Sequence, residues 1–239
     1  MKKLLIIKLG KTFPNLSEQY GDFEDWIKAL IGIAPDQIDV AKPYRGEQLP
    51  KLQNLMGVVI TGSHDMITDK KEWSERTAKW IPSVIDANIP LLGICYGHQL
   101  LAYALGGKVG FNPNGIEFGT TEVHLNDNAS IDPIFRGLPS ILKVQASHSQ
   151  SVIELPLNAD LIASNDIDPH HAFTIARKAW GVQFHPEYNA DIMKGYVQEC
   201  ADMLTEDGQN IEKLIGNISD SPHSKTIMQR FGEIMKNDI

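Results

Sequence analysis

The first half of the chain alternates between short apolar runs and amphipathic stretches. Residues 3–9 read as a strand that ends at Gly10, and residues 11–21, polar and glycine-bounded, as a loop. Phe23, Trp26, Ile27 and Leu30 then mark one helix face. Residues 38–41 predict a second strand and 43–50 a turn-rich connector. Residues 56–60 are almost continuously apolar, as in a parallel strand covered on both faces. A helix is expected over residues 73–87, with Trp80, Ile81, Val84 and Ile85 inward. Pro82 inside it points to a late start or a kink. Residues 89–94 form another buried strand, followed at once by Leu100, Leu101, Tyr103, Ala104 and Leu105 at helical spacing and a Gly106-Gly107 stop.

The texture changes over residues 108–176. Strand-like pieces at 120–125, 141–146, 160–163 and 172–176 are separated by turns too short for crossover helices, so they predict antiparallel hairpins at the sheet edge. A strand over 180–184 delivers His185-Pro186-Glu187 at its end. Ile192, Met193, Tyr196, Val197, Cys200 and Leu204 continue as one amphipathic helix, with Cys200 packing on its apolar face. Two more helices follow, one around Ile211 to Ile218 and one around Ile227 to Met235. The expected division is residues 1–204 as the main domain and 205–239 as a helical C-terminal extension. Packing of that extension on the domain is favoured over a role as docking surface.

Composition narrows the class. A net charge of -8 disfavours nucleic-acid and anionic-membrane partners, because a phosphate binder needs clustered Lys and Arg, and Lys70-Lys71 is flanked by acids. Two cysteines do not make a disulfide framework, so a cytoplasmic location is expected. The apolar run at the N-terminus stops at Lys8, too short for a signal peptide, and no run reaches transmembrane length.

The candidate chemistry lies at Gly93-Ile94-Cys95-Tyr96-Gly97, where a strand turns into a helix with almost no loop. Glycines on both sides relieve such a reversal, and the arrangement is the thiol version of the G-x-S-x-G nucleophile elbow. It lifts the Cys95 side chain to a helix N-terminus, where the dipole favours thiolate and backbone N–H groups face a developing oxyanion. The competing reading is an inert buried cysteine. A nucleophile needs a base and the base an orienter. His185 and Glu187, two apart in extended chain, share a face and supply both. A His-x-Glu pair also begins some metal sites, but no second ligand pair accompanies it. No metal or cofactor is expected.

Taken together, the elbow with Gln99, the segments Gly106-Gly107-Lys108-Val109 and Glu117-Phe118-Gly119, Ser147-His148-Ser149, and His185-Pro186-Glu187 resemble the class I (triad-type) glutamine amidotransferases. The texture is that of the amidotransferase portion of GMP synthetase and its stand-alone relatives, over residues 1–200. The resemblance implies a flavodoxin-like three-layer α/β/α fold, mainly parallel with an antiparallel edge. It further implies hydrolysis of the glutamine side-chain amide through a Cys95 thioester, with His185 as base and Glu187 holding its ring. Oxyanion donors would be the Tyr96 N–H and one from Gly62-Ser63. Gln99 and the main chain of Ser147, His148 and Ser149 would hold the substrate, with His148 itself a structural neighbour. Relatives with an intact synthetase read Gly-Gly-Pro or Asn-Gly-Pro where this chain has Gly62-Ser63-His64, which leaves open the second oxyanion donor. His64 is expected to be a solvated loop residue.

Residues 201–239 carry no glycine-rich phosphate loop, so ammonia would pass to a synthetase subunit in trans or go unused. The alternatives are a stand-alone γ-glutamyl peptidase, a non-catalytic binding or regulatory module on the same fold, and another thiol chemistry at the same elbow.

Overall fold

The computed structural model describes residues 2–237. Its nine-stranded sheet has the order β2-β1-β3-β4-β11-β10-β9-β6-β7. These strands are β1 (Lys3–Ile7), β2 (Ile38–Ala41), β3 (Leu55–Ile60), β4 (Leu91–Ile94), β6 (Glu117–Leu125), β7 (Ile141–His148), β9 (Ala159–Ser164), β10 (Ala172–Ile175) and β11 (Ala179–Val182). β5 (Lys108–Phe111) and β8 (Gln150–Glu154) pair separately as an antiparallel ribbon. The helices are α1 (Pro14–Tyr20), α2 (Phe23–Leu30), α3 (Glu72–Asp86), α4 (Tyr96–Ala104), α5 (Ala190–Glu199), α6 (Ala201–Glu206), α7 (Ile211–Asn217) and α8 (Pro222–Asn237).

β2, β1, β3, β4 and β11 run parallel, and β10, β9, β6 and β7 extend the sheet antiparallel. The parallel half has the doubly wound order of flavodoxin-like folds, whose ligand crevice lies beyond the strands' carboxyl ends. Strand pleating sorts the core. Leu4, Ile6, Leu92 and Trp180 face α2 and α8, whereas Leu5, Ile7, Leu91 and Ala179 face α3 and α4. A third cluster joins α1, α2, α5 and α6 through Leu16, Phe23, Trp26, Tyr188, Tyr196 and Leu204.

Several expectations need correction. Residues 14–20 are helical, not loop: Pro14 sets the first turn, but only Leu16 is buried, so no apolar stripe announces it. α3 begins at Glu72 and runs through Pro82 to Asp86. The helix expected across Cys200 is two, α5 and α6, divided at that residue. β5 and β8 are strands beyond those expected. The extension packs inward, with Ile227, Met228, Phe231 and Met235 of α8 fully buried beneath the sheet. Among the described residues no helix is long and apolar enough to cross a membrane.

Candidate active site

Four loops at the carboxyl ends of parallel strands converge: Gly10 after β1, Gly62-Ser63 after β3, Cys95 after β4 and His185 after β11. Cys95 sits between β4 and α4 at φ 51°, ψ -103°, a left-handed conformation costly for a residue with a Cβ. The flanking glycines are obligatory on steric grounds. A Cβ on Gly93 would lie 2.4 Å from the Gly97 carbonyl oxygen, and one on Gly97 would lie 2.4 Å from the Ile60 carbonyl oxygen. The elbow thus presses α4 directly onto β3, with the Cys95 N–H bonded to the Val182 carbonyl at 2.8 Å.

His185 is 2% exposed and Glu187 3%. The imidazole Nδ1–H donates to Glu187 Oε1 at 2.8 Å, which leaves Nε2 for the thiol. Burial pushes His185 down, but the Glu187 charge and the neighbouring Cys95 outweigh it and hold the imidazole up at about 10. Tyr188 stacks on the ring at 4.0 Å between centroids, and Phe23 lies nearly parallel to it at 6.4 Å. These aromatics fix the base and keep water from it; their roles were not visible in the sequence. The expected trio is therefore brought together.

The oxyanion candidates Tyr96 and Ser63 border the same cleft as Cys95. Tyr96 is the first residue of α4, so its N–H has no partner within the helix. The Thr61 hydroxyl accepts from the Leu9 N–H at 3.0 Å and donates to the Gly62 carbonyl at 2.9 Å, pinning the Gly62-Ser63 peptide. A Cβ on Gly62 would meet His185 Cε1 at 3.0 Å, so this loop touches the base directly. Ser63 Oγ accepts from the Asp65 N–H at 3.2 Å.

Gln99 projects from α4 into the cleft, where its amide donates to the Gln150 carbonyl at 2.7 Å and to Gln183 Oε1 at 3.0 Å. Gln183 is a site neighbour that sequence reasoning missed. The Ser147 carbonyl lies 3.8 Å from Cys95 Sγ, and Ser147 and Ser149 line the cleft. His148 turns its ring away into a buried cluster: Nδ1 meets the Gln150 carbonyl at 3.1 Å and Nε2 meets Glu117 Oε2 at 3.0 Å. It is thus a neighbour held by Glu117.

His171 Nε2 also bonds Glu117 Oε2, at 2.7 Å. Among the described residues, Glu117, His148 and His171 are the one group whose ligand atoms converge as a metal site would require. A tetrahedral ion with bonds of about 2.0–2.1 Å needs ligand atoms roughly 3.3 Å apart. The observed spacings are those of hydrogen bonds between the groups themselves. Burial would raise the Glu117 carboxyl, but the two imidazoles hold it well below the usual range.

The cleft continues past Cys95 along Phe13, His64, Met66, Ile116, Phe118, Tyr196, Cys200 and Met203. His64 is exposed, as expected, yet it lines the cleft, lying 4.4 Å from Phe13 between centroids and 3.3 Å from the Tyr196 hydroxyl. Cys200 is half-buried at the cleft edge, where burial pushes its thiol up to about 11.

A thiol on a strained elbow beside a buried histidine–glutamate pair is the arrangement that nucleophilic cysteine chemistry requires. The glutamine amidotransferase class-I model matches residues 34–199, and the chain belongs to that family. The chain is 32% identical to γ-glutamyl peptidase 4 of Arabidopsis thaliana over 80% of its own length and 78% of that protein's. It is 33% identical to a glutamine-hydrolyzing GMP synthase subunit of Pyrococcus abyssi, over 64% of this chain and 80% of that one. Full-length GMP synthases match as well, but the chain spans only about a third of their length, 34% of one and 30% of another. Among solved structures, a glutamine amidotransferase from Thermotoga maritima superposes with a TM-score of 0.71 at 22% identity, covering 99% of this chain and 98% of that one, and so shares the fold.

Proposed function

We propose that this chain hydrolyses the side-chain amide of glutamine, or a related γ-glutamyl bond, through a thioester on Cys95. The observation that carries this reading is Cys95 on its strained elbow beside an imidazole anchored 2.8 Å from the Glu187 carboxylate. Cys95 attacks the γ-carbonyl carbon. His185 holds the proton at Nε2 beside the sulfur and gives it to the leaving amine, while Glu187 fixes the ring and stabilises the imidazolium. The Tyr96 N–H and the Ser63 N–H receive the oxyanion. Gln99 and the main chain of Ser147 to Ser149 hold the α-amino and α-carboxyl end. Nucleophile, base and orienter are all side chains, so the reaction calls for no cofactor.

In this reading residues 1–204 form the amidotransferase unit and 205–239 a helical extension that closes one face of its core. Ammonia goes to a synthetase subunit in trans, as the P. abyssi relative's name as a subunit makes reasonable. A second reading, a stand-alone γ-glutamyl peptidase, draws on the near full-length match to the Arabidopsis peptidase. Glutamate release from L-glutamine and from γ-glutamyl dipeptides, by the chain alone and by Cys95→Ser, tests both. Cysteine-dependent release from either substrate supports the reading, and release that persists in Cys95→Ser overturns it.

A further inference from the structure

The cleft over Cys95 has more surface than glutamine uses. Its polar part, around Gln99 and Ser147 to Gln150, offers carbonyls, hydroxyls and amides suited to an amino-acid end. The remainder is apolar: Phe13, the Ile116–Phe118 segment and the α5–α6 residues Tyr196, Cys200 and Met203 border the same cavity as the nucleophile. Several of these are left partly open. Phe13, Ile116, Phe118 and Cys200 are only half-buried against the Tyr188 cluster, and Met203 is 42% exposed at the rim. The cleft lining includes no lysine or arginine. Its one acid, Asp65, is already paired with Lys71. Ammonia has no carbon to place on such a surface, and a carboxylate or phosphate would find no counter-charge there.

We infer that this apolar wall receives the amine side of the scissile bond, so that the preferred substrate is a γ-glutamyl amide whose leaving amine carries an uncharged alkyl, thioether or aryl body. The inference rests on Cys95 as nucleophile. The thiol sulfur bonds to the carbonyl carbon of the γ-glutamyl amide, that carbon's bond to nitrogen breaks, and the thiol proton leaves with the amine as R–NH2. Water then cleaves the thioester, giving glutamate and restoring the thiol. Free glutamine uses the same machinery but leaves the apolar wall unfilled.

The test compares kcat/KM for γ-glutamyl methylamide, butylamide and benzylamide and for γ-glutamylglycine, with glutamine as reference. Each methylene taken out of water is worth about fourfold. Butylamide should therefore exceed methylamide by about tenfold or more, benzylamide should follow it, and γ-glutamylglycine should fall below both. Met203→Lys, which puts a charge on the rim, should cut the butylamide-to-methylamide ratio by about fourfold. Phe118→Ser should do the same. A ratio is independent of the fraction of folded enzyme, so a poorly folding variant still reports. Methylamide turned over as well as butylamide and benzylamide, or ratios unmoved in both variants, would overturn the inference while leaving the thioester reading intact. Failure of every compound, glutamine included, to yield Cys95-dependent glutamate would instead overturn that reading and the inference together.

Discussion

Replacing Glu187 with Gln removes one charge from the site with almost no change of shape. The new amide oxygen can still accept from His185 Nδ1 at the position that Glu187 Oε1 occupies at 2.8 Å. The amide nitrogen falls where Glu187 Oε2 now lies buried with no hydrogen-bond partner. What is lost is the carboxylate's attraction for the imidazolium. Burial pushes His185 down, and Glu187 together with Cys95 reverses this to about 10. An opposite charge at such range is worth about 1–3 pKa units. At hydrogen-bond distance in a buried site we expect about two to three, or about 3–4 kcal/mol. The His185 Cε1–H resonance should then titrate two or more pH units lower in Glu187→Gln than in the parent. Stability should follow the same sign. The folded parent holds its proton more tightly than the unfolded chain, so this stabilisation is complete below about pH 6.5 and lost as pH rises towards 10. The variant should show a shallower decline in urea midpoint over that window. Turnover should drop by about 10²–10⁴-fold. An unchanged His185 titration would refute the assignment of Glu187 as its orienting charge.

Gly97→Ala forces a Cβ to 2.4 Å from the Ile60 carbonyl oxygen and should cost about 1–3 kcal/mol in chemical unfolding along with most activity. Gly110→Ala, with its nearest contact at 3.6 Å, is the control and should stay within about 0.5 kcal/mol of the parent. Phe231→Ala removes a fully buried ring of α8 that meets Trp180 edge-on at 5.9 Å between centroids. It should cost about 3–5 kcal/mol, which would tie the extension to the stability of the main unit. Glu117→Gln leaves His148 and His171 without their shared carboxylate and should destabilise by about 3–5 kcal/mol near neutral pH. Because folding lowers the Glu117 carboxyl, its stabilisation is present above about pH 4.5 and fades as pH falls. The variant should therefore lose less stability than the parent on acidification.

The parts of this molecule that chemistry concentrates locally were legible in the sequence. The elbow needs two glycines around Cys95, and His185 and Glu187 stand two apart, so spacing made each a candidate, while joining them into a triad took the resemblance to the class I amidotransferases. The parallel strands announced themselves as continuous apolar runs because both faces are covered. What the sequence hid was assembled from afar. Glu117, His148 and His171 lie on three separate segments and become one cluster only through the antiparallel edge. The apolar cleft wall draws on Phe13, Phe118 and Met203, none of which shares an element. The break at Cys200 was invisible because the apolar spacing from Ile192 to Leu204 stays in phase across it. The helix over residues 14–20 buries too little to leave a stripe.

The most direct test of the account is intact-mass analysis of the chain quenched in acid during turnover of a γ-glutamyl amide, followed by peptide mapping. The account predicts a hydroxylamine-sensitive γ-glutamyl adduct on the peptide containing Cys95, lost in Cys95→Ala. Turnover with no such adduct, and at an undiminished rate in Cys95→Ala, would contradict it.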